Sequence, residues 1–280
     1  MHQRIKVQPQ IFSVFFLTTV ILALLFFTVA AIQPLKVAAQ NLESNTFDSI
    51  TQESMSTFAP PSLPFIQASS VATFYLPIIF KSPAIVYFDN FSDEDSNWAH
   101  RVDDGKCYSL YEGGRYRLNV DSGEICLRPA PKDSPAERTY GSFEVLAYHS
   151  EGESNSAFGI YINGNGADNQ YIFKIRPNNS CSQGGDWEFT RNRNGTKIIV
   201  RSGHCNLNIR RGYGSANFNR LKVKHTSDRQ ITLYINGVQI DTFNEAVSQE
   251  LTGRGTGVYA EASSSTNIVI KYDDFTVFAP

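Results

Sequence analysis

Neither sign of charge dominates this sequence. Its 280 residues hold 25 Lys and Arg against 27 Asp and Glu, a formal net charge of -2. Without a basic excess there is no bulk field to draw in a polyanion, so nucleic acid is not an expected partner. No Cys-x-x-Cys spacing occurs and the histidines are scattered, which removes the usual signature of a zinc site. No Gly-x-Ser-x-Gly elbow is found. The one glycine cluster, Gly253-Arg254-Gly255-Thr256-Gly257, precedes a strand rather than a helix, so it reads as a tight turn and not as a phosphate cradle. Lys and Arg are also absent from Val37 to Phe80. Methionine is scarce, at two residues, against 20 Phe and 13 Tyr, a balance that favours strands over helices.

The start of the chain differs from the rest. His2, Arg4 and Lys6 are followed by an uncharged run from Ile11 to Ile32, the pattern of an export signal. The run is also close to the roughly 20 residues that cross a bilayer, so residues 1–39 read as a signal peptide or as a membrane anchor left uncleaved. Small residues at Val37 and Ala39, or at Val29 and Ala31, offer cleavage sites. Residues 40–83 form a linker rich in Ser, Thr, Gln, Asn and Pro, without sustained periodicity. Within it, the apolar segment Phe74–Phe80 resembles a short tag seen between leader and domain in some bacterial surface proteins, or reads as an edge strand. Such a chain is expected outside the cytoplasm, secreted or held on the cell membrane. Four cysteines in an exported chain imply disulfides. Of three possible pairings, Cys107 with Cys126 and Cys181 with Cys205 is favoured, because each pair brackets a local hairpin.

From residue 84 onward, short runs of period-2 alternation are separated by turn signals such as Asn163-Gly164-Asn165-Gly166 and Asn194-Gly195. Strands are predicted over 85–89, 114–120, 124–128, 142–149, 157–162, 171–176, 187–193, 197–201, 218–226, 230–235, 238–242, 255–262 and 267–278. The clearest stretch is Asn217–Phe243. There Leu221 and Val223 alternate with Lys222 and Lys224, and Ile231, Leu233 and Ile235 with Thr232 and Tyr234. Asn236-Gly237 then supplies a two-residue hairpin turn, so three strands form a meander. Many short strands with no long helix describe two packed antiparallel sheets in a single all-β domain, 84–280.

Phe218-Asn219-Arg220-Leu221 leading to Ile231-Thr232-Leu233-Tyr234-Ile235-Asn236-Gly237 resembles the late strands of concanavalin A-like jelly rolls, including laminin-G-type and family 16 glycoside hydrolase-like domains. Phe88-Asp89-Asn90-Phe91 opens the resemblance and Tyr272-Asp273-Asp274-Phe275 closes it. The resemblance implies that the first and last strands lie side by side, and that carbohydrate would bind the outer face of a curved sheet. It also implies a structural calcium, for which Asp89, Asp273 and Asp274 are the candidate ligands if the terminal strands pair.

Alternation along 143–149, 157–162 and 171–176 puts Glu144, Tyr148, Tyr161, Lys174 and Arg176 on the non-core side of their strands. Rings that stack on sugar C–H faces and charged groups that bond hydroxyls are what a carbohydrate requires. The same residues also describe an ordinary sheet face with cross-strand ion pairs. Trp187, after Gly184-Gly185-Asp186, is a further candidate stacking platform, and Trp98 a weaker one; both also suit a core. Hydrolysis would need two carboxylates. The clustered Glu-x-Asp-x-x-Glu strand of the classical family 16 hydrolases is absent, and Glu144 would depend on Glu137, Glu153, Asp168 or Glu188 approaching from elsewhere. The sequence therefore points to a non-catalytic carbohydrate-binding module, with a glycoside hydrolase using Glu144 or a structural, adhesive domain as the competing readings.

Overall fold

The computed structural model describes residues 82–153 and 155–280. The leader, the linker up to residue 81 and the segment Phe74–Phe80 lie outside them. The described residues form fifteen strands. The first eight are β1 (Ile85–Asp89), β2 (Val102–Asp103), β3 (Cys107–Tyr111), β4 (Tyr116–Val120), β5 (Ile125–Pro129), β6 (Gly141–Glu151), β7 (Ala157–Gly164) and β8 (Asn169–Arg176). Then come β9 (Gly185–Arg193), β10 (Thr196–Asn206), β11 (Asn219–His225), β12 (Gln230–Ile235), β13 (Val238–Asn244), β14 (Gly255–Glu261) and β15 (Ile268–Phe278). Among the described residues the only helical pieces are two 3-10 turns, Ser215–Asn217 and Val247–Gln249.

Two antiparallel sheets are formed. Sheet A runs β13-β12-β11-β6-β15-β4-β3-β2, with β1 pairing on β15; sheet B runs β10-β9-β8-β7-β14-β5. Their inner faces meet in one core, to which β6 gives Phe143, Val145 and Ala147, β7 gives Phe158, Ile160 and Ile162, and β12 gives Ile231, Leu233 and Ile235. Each of the larger side chains among these contributes roughly 1.5–3 kcal/mol on burial. The meander forms as the alternation requires: Ile235 pairs with Val238 across Asn236 and Gly237, whose φ angles of 52° and 82° are those of a type I′ turn. First and last strands do pair, with Ile85 opposite Phe278 and Asp89 opposite Phe275.

Both expected disulfides are present, Cys107–Cys126 and Cys181–Cys205, with Cα separations of 5.8 and 5.4 Å. The first does more than close a hairpin: it joins β3 of sheet A to β5 of sheet B and is buried in the core between them. β2 and β3 escaped the sequence reading. In Cys107-Tyr108-Ser109-Leu110-Tyr111 the inward residues are a half-cystine, a serine and a tyrosine, so the inner face carries no aliphatic signal.

Candidate functional site

The outward candidates fall on opposite sides of the sandwich. Alternation tells which residues of a strand point away from the core, but not which sheet the strand joins. β6 lies in sheet A, whereas β7 and β8 lie in sheet B. Glu144 and Tyr148 therefore share no surface with Tyr161, Lys174 and Arg176. Glu144 is held on sheet A by Arg220 and, at 3.8 Å, by Lys222. Tyr148 packs edge-on to Phe218 with ring centroids 4.6 Å apart, beneath the Arg115 guanidinium. Trp187 is corrected as well. β9 begins at Gly185, so its alternation puts Trp187 and Phe189 inside, where Trp187 meets Phe173 in the core. Trp98 is also core, its Nε1 donating to the Tyr87 hydroxyl at 3.1 Å.

On the outer face of sheet B, Tyr161, Lys174 and Arg176 do come together, joined by Glu188, which stands here and not beside Glu144, and by Glu261. Glu188 on β9 stands 3.3 Å from Lys174 Nζ and 2.7 Å from Arg176. Glu261 at the end of β14 closes the other side, pairing with Lys174 directly and with Arg176 at 3.1 Å. The four charges form a neutral quartet, and Lys174 at its centre is buried. The Tyr259 hydroxyl donates to Glu261 at 2.6 Å. Burial alone would raise the Glu261 pKa, but the charge of Lys174 and its hydrogen bond bring it down to about 2. Glu188 is lowered too, because Lys174 and Arg176 outweigh its desolvation. The alternation of Tyr259 and Glu261 with the core residues Val258 and Ala260 was the available signal for both.

Beside the quartet lies a small apolar cluster of Tyr161, Ile172 and Tyr259, with Leu127 packed against it. It leads into a pocket of about 640 Å³ lined by Tyr161, Leu127, Gln170, Glu137, the turn Gly164–Ala167 and the segment Thr252–Gly255. Glycine clears the room for the ring: a Cβ at Gly257 would lie 2.7 Å from a Tyr161 ring carbon. The Tyr161 hydroxyl, its pKa raised by burial, has no hydrogen-bond partner among the described residues. Gln170 is 2% exposed, and its Oε1 is likewise without a partner. Leaving such an acceptor unpaired costs about 1–3 kcal/mol, which a ligand donor would recover. Gln170 continues the outward alternation of Ile172, Lys174 and Arg176 by one step, which was its signal in the sequence.

The remaining candidates have local roles. Asp89 accepts from the backbone of Phe91 at 2.7 Å and from the Tyr87 hydroxyl at 3.4 Å. Asp273 pairs with Arg115 at 3.6 Å, and Asp274 occupies a bulge between Asp273 and Thr276 with φ 47°. Among the described residues these three do not gather within ligating reach of one another. Among the same residues the one group that does, Cys181, Asp186, His204 and Cys205, has both sulfurs committed to a disulfide. Of the loop carboxylates, Glu137 lines the pocket, whereas Glu153 is bonded to Ser263 and Ser265.

No known family matches the sequence, and no curated protein matches it. Comparison with solved structures finds matches of low identity. One is the GH43 protein BlXynB of Bacillus licheniformis, with 16% identity and a TM-score of 0.49 over 69% of this chain, which spans 39% of that one. Another is the laminarinase catalytic domain of Thermotoga maritima, with 11% identity and a TM-score of 0.49 over 71% of this chain and 99% of that one. A third is the carbohydrate binding module CBM66 of Bacillus subtilis, with 11% identity and a TM-score of 0.44 over 70% and 97%. At these values the likeness assigns no chemistry to this chain.

Proposed function

We propose that this protein binds carbohydrate outside the cytoplasm, through the pocket on the outer face of sheet B, without cleaving it. The observation that carries the reading is the pairing of Tyr161 with Gln170 in one pocket: an aromatic ring beside a buried amide oxygen that has no partner. A sugar offers what both lack, an apolar C–H face for the ring and hydroxyl donors for the oxygen. The pocket volume lies within the range of small-molecule sites. Two disulfides support an oxidising compartment. The quartet argues against hydrolysis. A general acid needs a raised pKa, whereas Glu188 and Glu261 are each held by two cations and pushed down.

The test is a screen of the purified full chain on a polysaccharide array, with released sugar ends assayed on the same glycans. The expected result is binding without release, weakened about tenfold or more in Tyr161→Ala and in Gln170→Ala, and unchanged in Tyr148→Ala on sheet A. Release of sugar ends would make the protein an enzyme. Silence on every glycan would leave an adhesive or structural role.

A further inference from the structure

Behind the pocket, a buried histidine stands between groups that lead to its two walls. His225 ends β11 and is fully buried. Its Nδ1 lies 3.0 Å from Asn163 Oδ1. Only one orientation of the Asn163 amide works, because its Nδ2 donates to Thr139 O at 2.9 Å and to Gly253 O at 3.1 Å, and both are carbonyls. The Asn163 oxygen is thus an acceptor, and His225 Nδ1 carries the hydrogen. In the neutral ring Nε2 is then a bare lone pair, and the group it faces, 3.6 Å away, is the Glu250 carboxylate. Two acceptors confront each other, and Nε2 has no hydrogen-bond partner among the described residues.

The other groups around this ring are Tyr140, Tyr171, Asp228 and the Thr139 backbone carbonyl, which also accepts from Asn163. Tyr140 packs edge-on and its hydroxyl donates to Glu250 at 3.1 Å. Tyr171, also edge-on, uses its hydroxyl to accept from the Leu251 amide at 3.0 Å. Asp228 sits in the turn after β11 and acts on the ring through charge alone, while Arg229 beside it acts on Tyr140. Both polar partners of His225 lead directly into the pocket. Asn163 precedes the wall Gly164–Ala167 and bonds Gly253 in the opposite wall, while Glu250 begins the segment that continues to Thr252–Gly255.

We propose that His225 is a proton-operated positioning residue for this pocket. A proton taken from solvent onto Nε2 converts the clash of acceptors into an N–H···O bond to Glu250, fixes Thr252–Gly255 against β11, and tightens the hold on a bound sugar. The ligand part rests on the carbohydrate reading above; the coupling of His225 to the walls does not. Burial lowers the imidazole pKa more than Glu250 raises it, so the change belongs below the ordinary imidazole value of about 6.5.

The coupling is read without ligand, by NMR of the full chain carrying labelled histidine and glycine. The Gly164 and Gly253 amides are expected to shift with the midpoint of the His225 ring. In Glu250→Gln, whose amide donates to the neutral Nε2, Gly253 is expected to sit at its acid position already at pH 7.5. Amides that ignore the His225 titration, a ring that stays neutral down to pH 4, or a Glu250→Gln spectrum like wild type would each overturn the proposal. Affinity for soluble β-glucan and β-xylan, compared at pH 7.5 and 5, is expected to rise several-fold on acidification in wild type and to be flat in Glu250→Gln. If neither glycan binds while the amides still follow His225, the carbohydrate reading fails and the coupling stands; binding with a flat pH profile in wild type overturns the tightening.

Discussion

Lys174 is surrounded by two carboxylates, an arginine and the Tyr259 ring, 5.7 Å from its ammonium, and side chains at this depth trade large opposing contributions. Replacing Glu261 by Gln leaves Lys174 with one carboxylate, so a loss of several kcal/mol in chemical denaturation is expected, within the range seen for broken buried pairs. The pH dependence has a definite sign. Glu261 titrates near 2 when folded, against an ordinary value of 4.5, so its contribution is complete above about pH 4.5 and drains away as the pH falls toward 2. Thermal melts at pH 5 and pH 3 should differ less in Glu261→Gln than in wild type. Much of this was legible at single residues. Alternation turned Tyr161, Lys174 and Arg176 outward correctly, and the cross-strand ion pairs are present. What alternation lacks is the identity of the sheet: Glu144 and Tyr148 have the right parity on the wrong side of the sandwich. Gln170 shares their outward parity, but that its oxygen lacks a partner depends on what surrounds it and leaves no mark in sequence.

Among the elements, the β11–β12–β13 meander was the most legible, because its turn residues and its alternation agree. Gly237→Ala places a Cβ at φ 82°, where L side chains are strained, and should cost about 1 kcal/mol or more in stability without touching the pocket. One step further along, β13 ends near a buried pair that no pattern announced. Arg191 points inward from β9 and meets Glu245 at 2.7 Å, both nearly inaccessible. Glu245→Ala would strand the guanidinium, and a loss of about 3–5 kcal/mol is expected by denaturant titration. An inward arginine breaks the period-2 signal that located the other strands, and its partner stands 54 residues away. The same masking hid β3, where a half-cystine and a tyrosine fill inner positions.

For the whole molecule, the Cys107–Cys126 bridge is a disulfide that joins the two sheets, and Cys107→Ser with Cys126→Ser should lower stability by about 2–4 kcal/mol. Two buried histidines, His149 and His225, both have pKa values lowered first by desolvation. Each binds a proton less readily folded than unfolded, so stability is greatest above about pH 6.5 and declines below it. His149→Phe should flatten that decline in a melting series from pH 8 to pH 5. The pairing of the first strand with the last has a mechanical consequence. Ile85 and Phe278 sit opposite each other at one end of their ladder, so opposed loads on the two chain ends would part the β1–β15 hydrogen bonds one after another instead of shearing them together. Beyond that breach, the two cystines withhold loops of 19 and 24 residues from extension. A single molecule stretched in reductant should therefore yield a contour longer by on the order of 100 Å than one stretched oxidised.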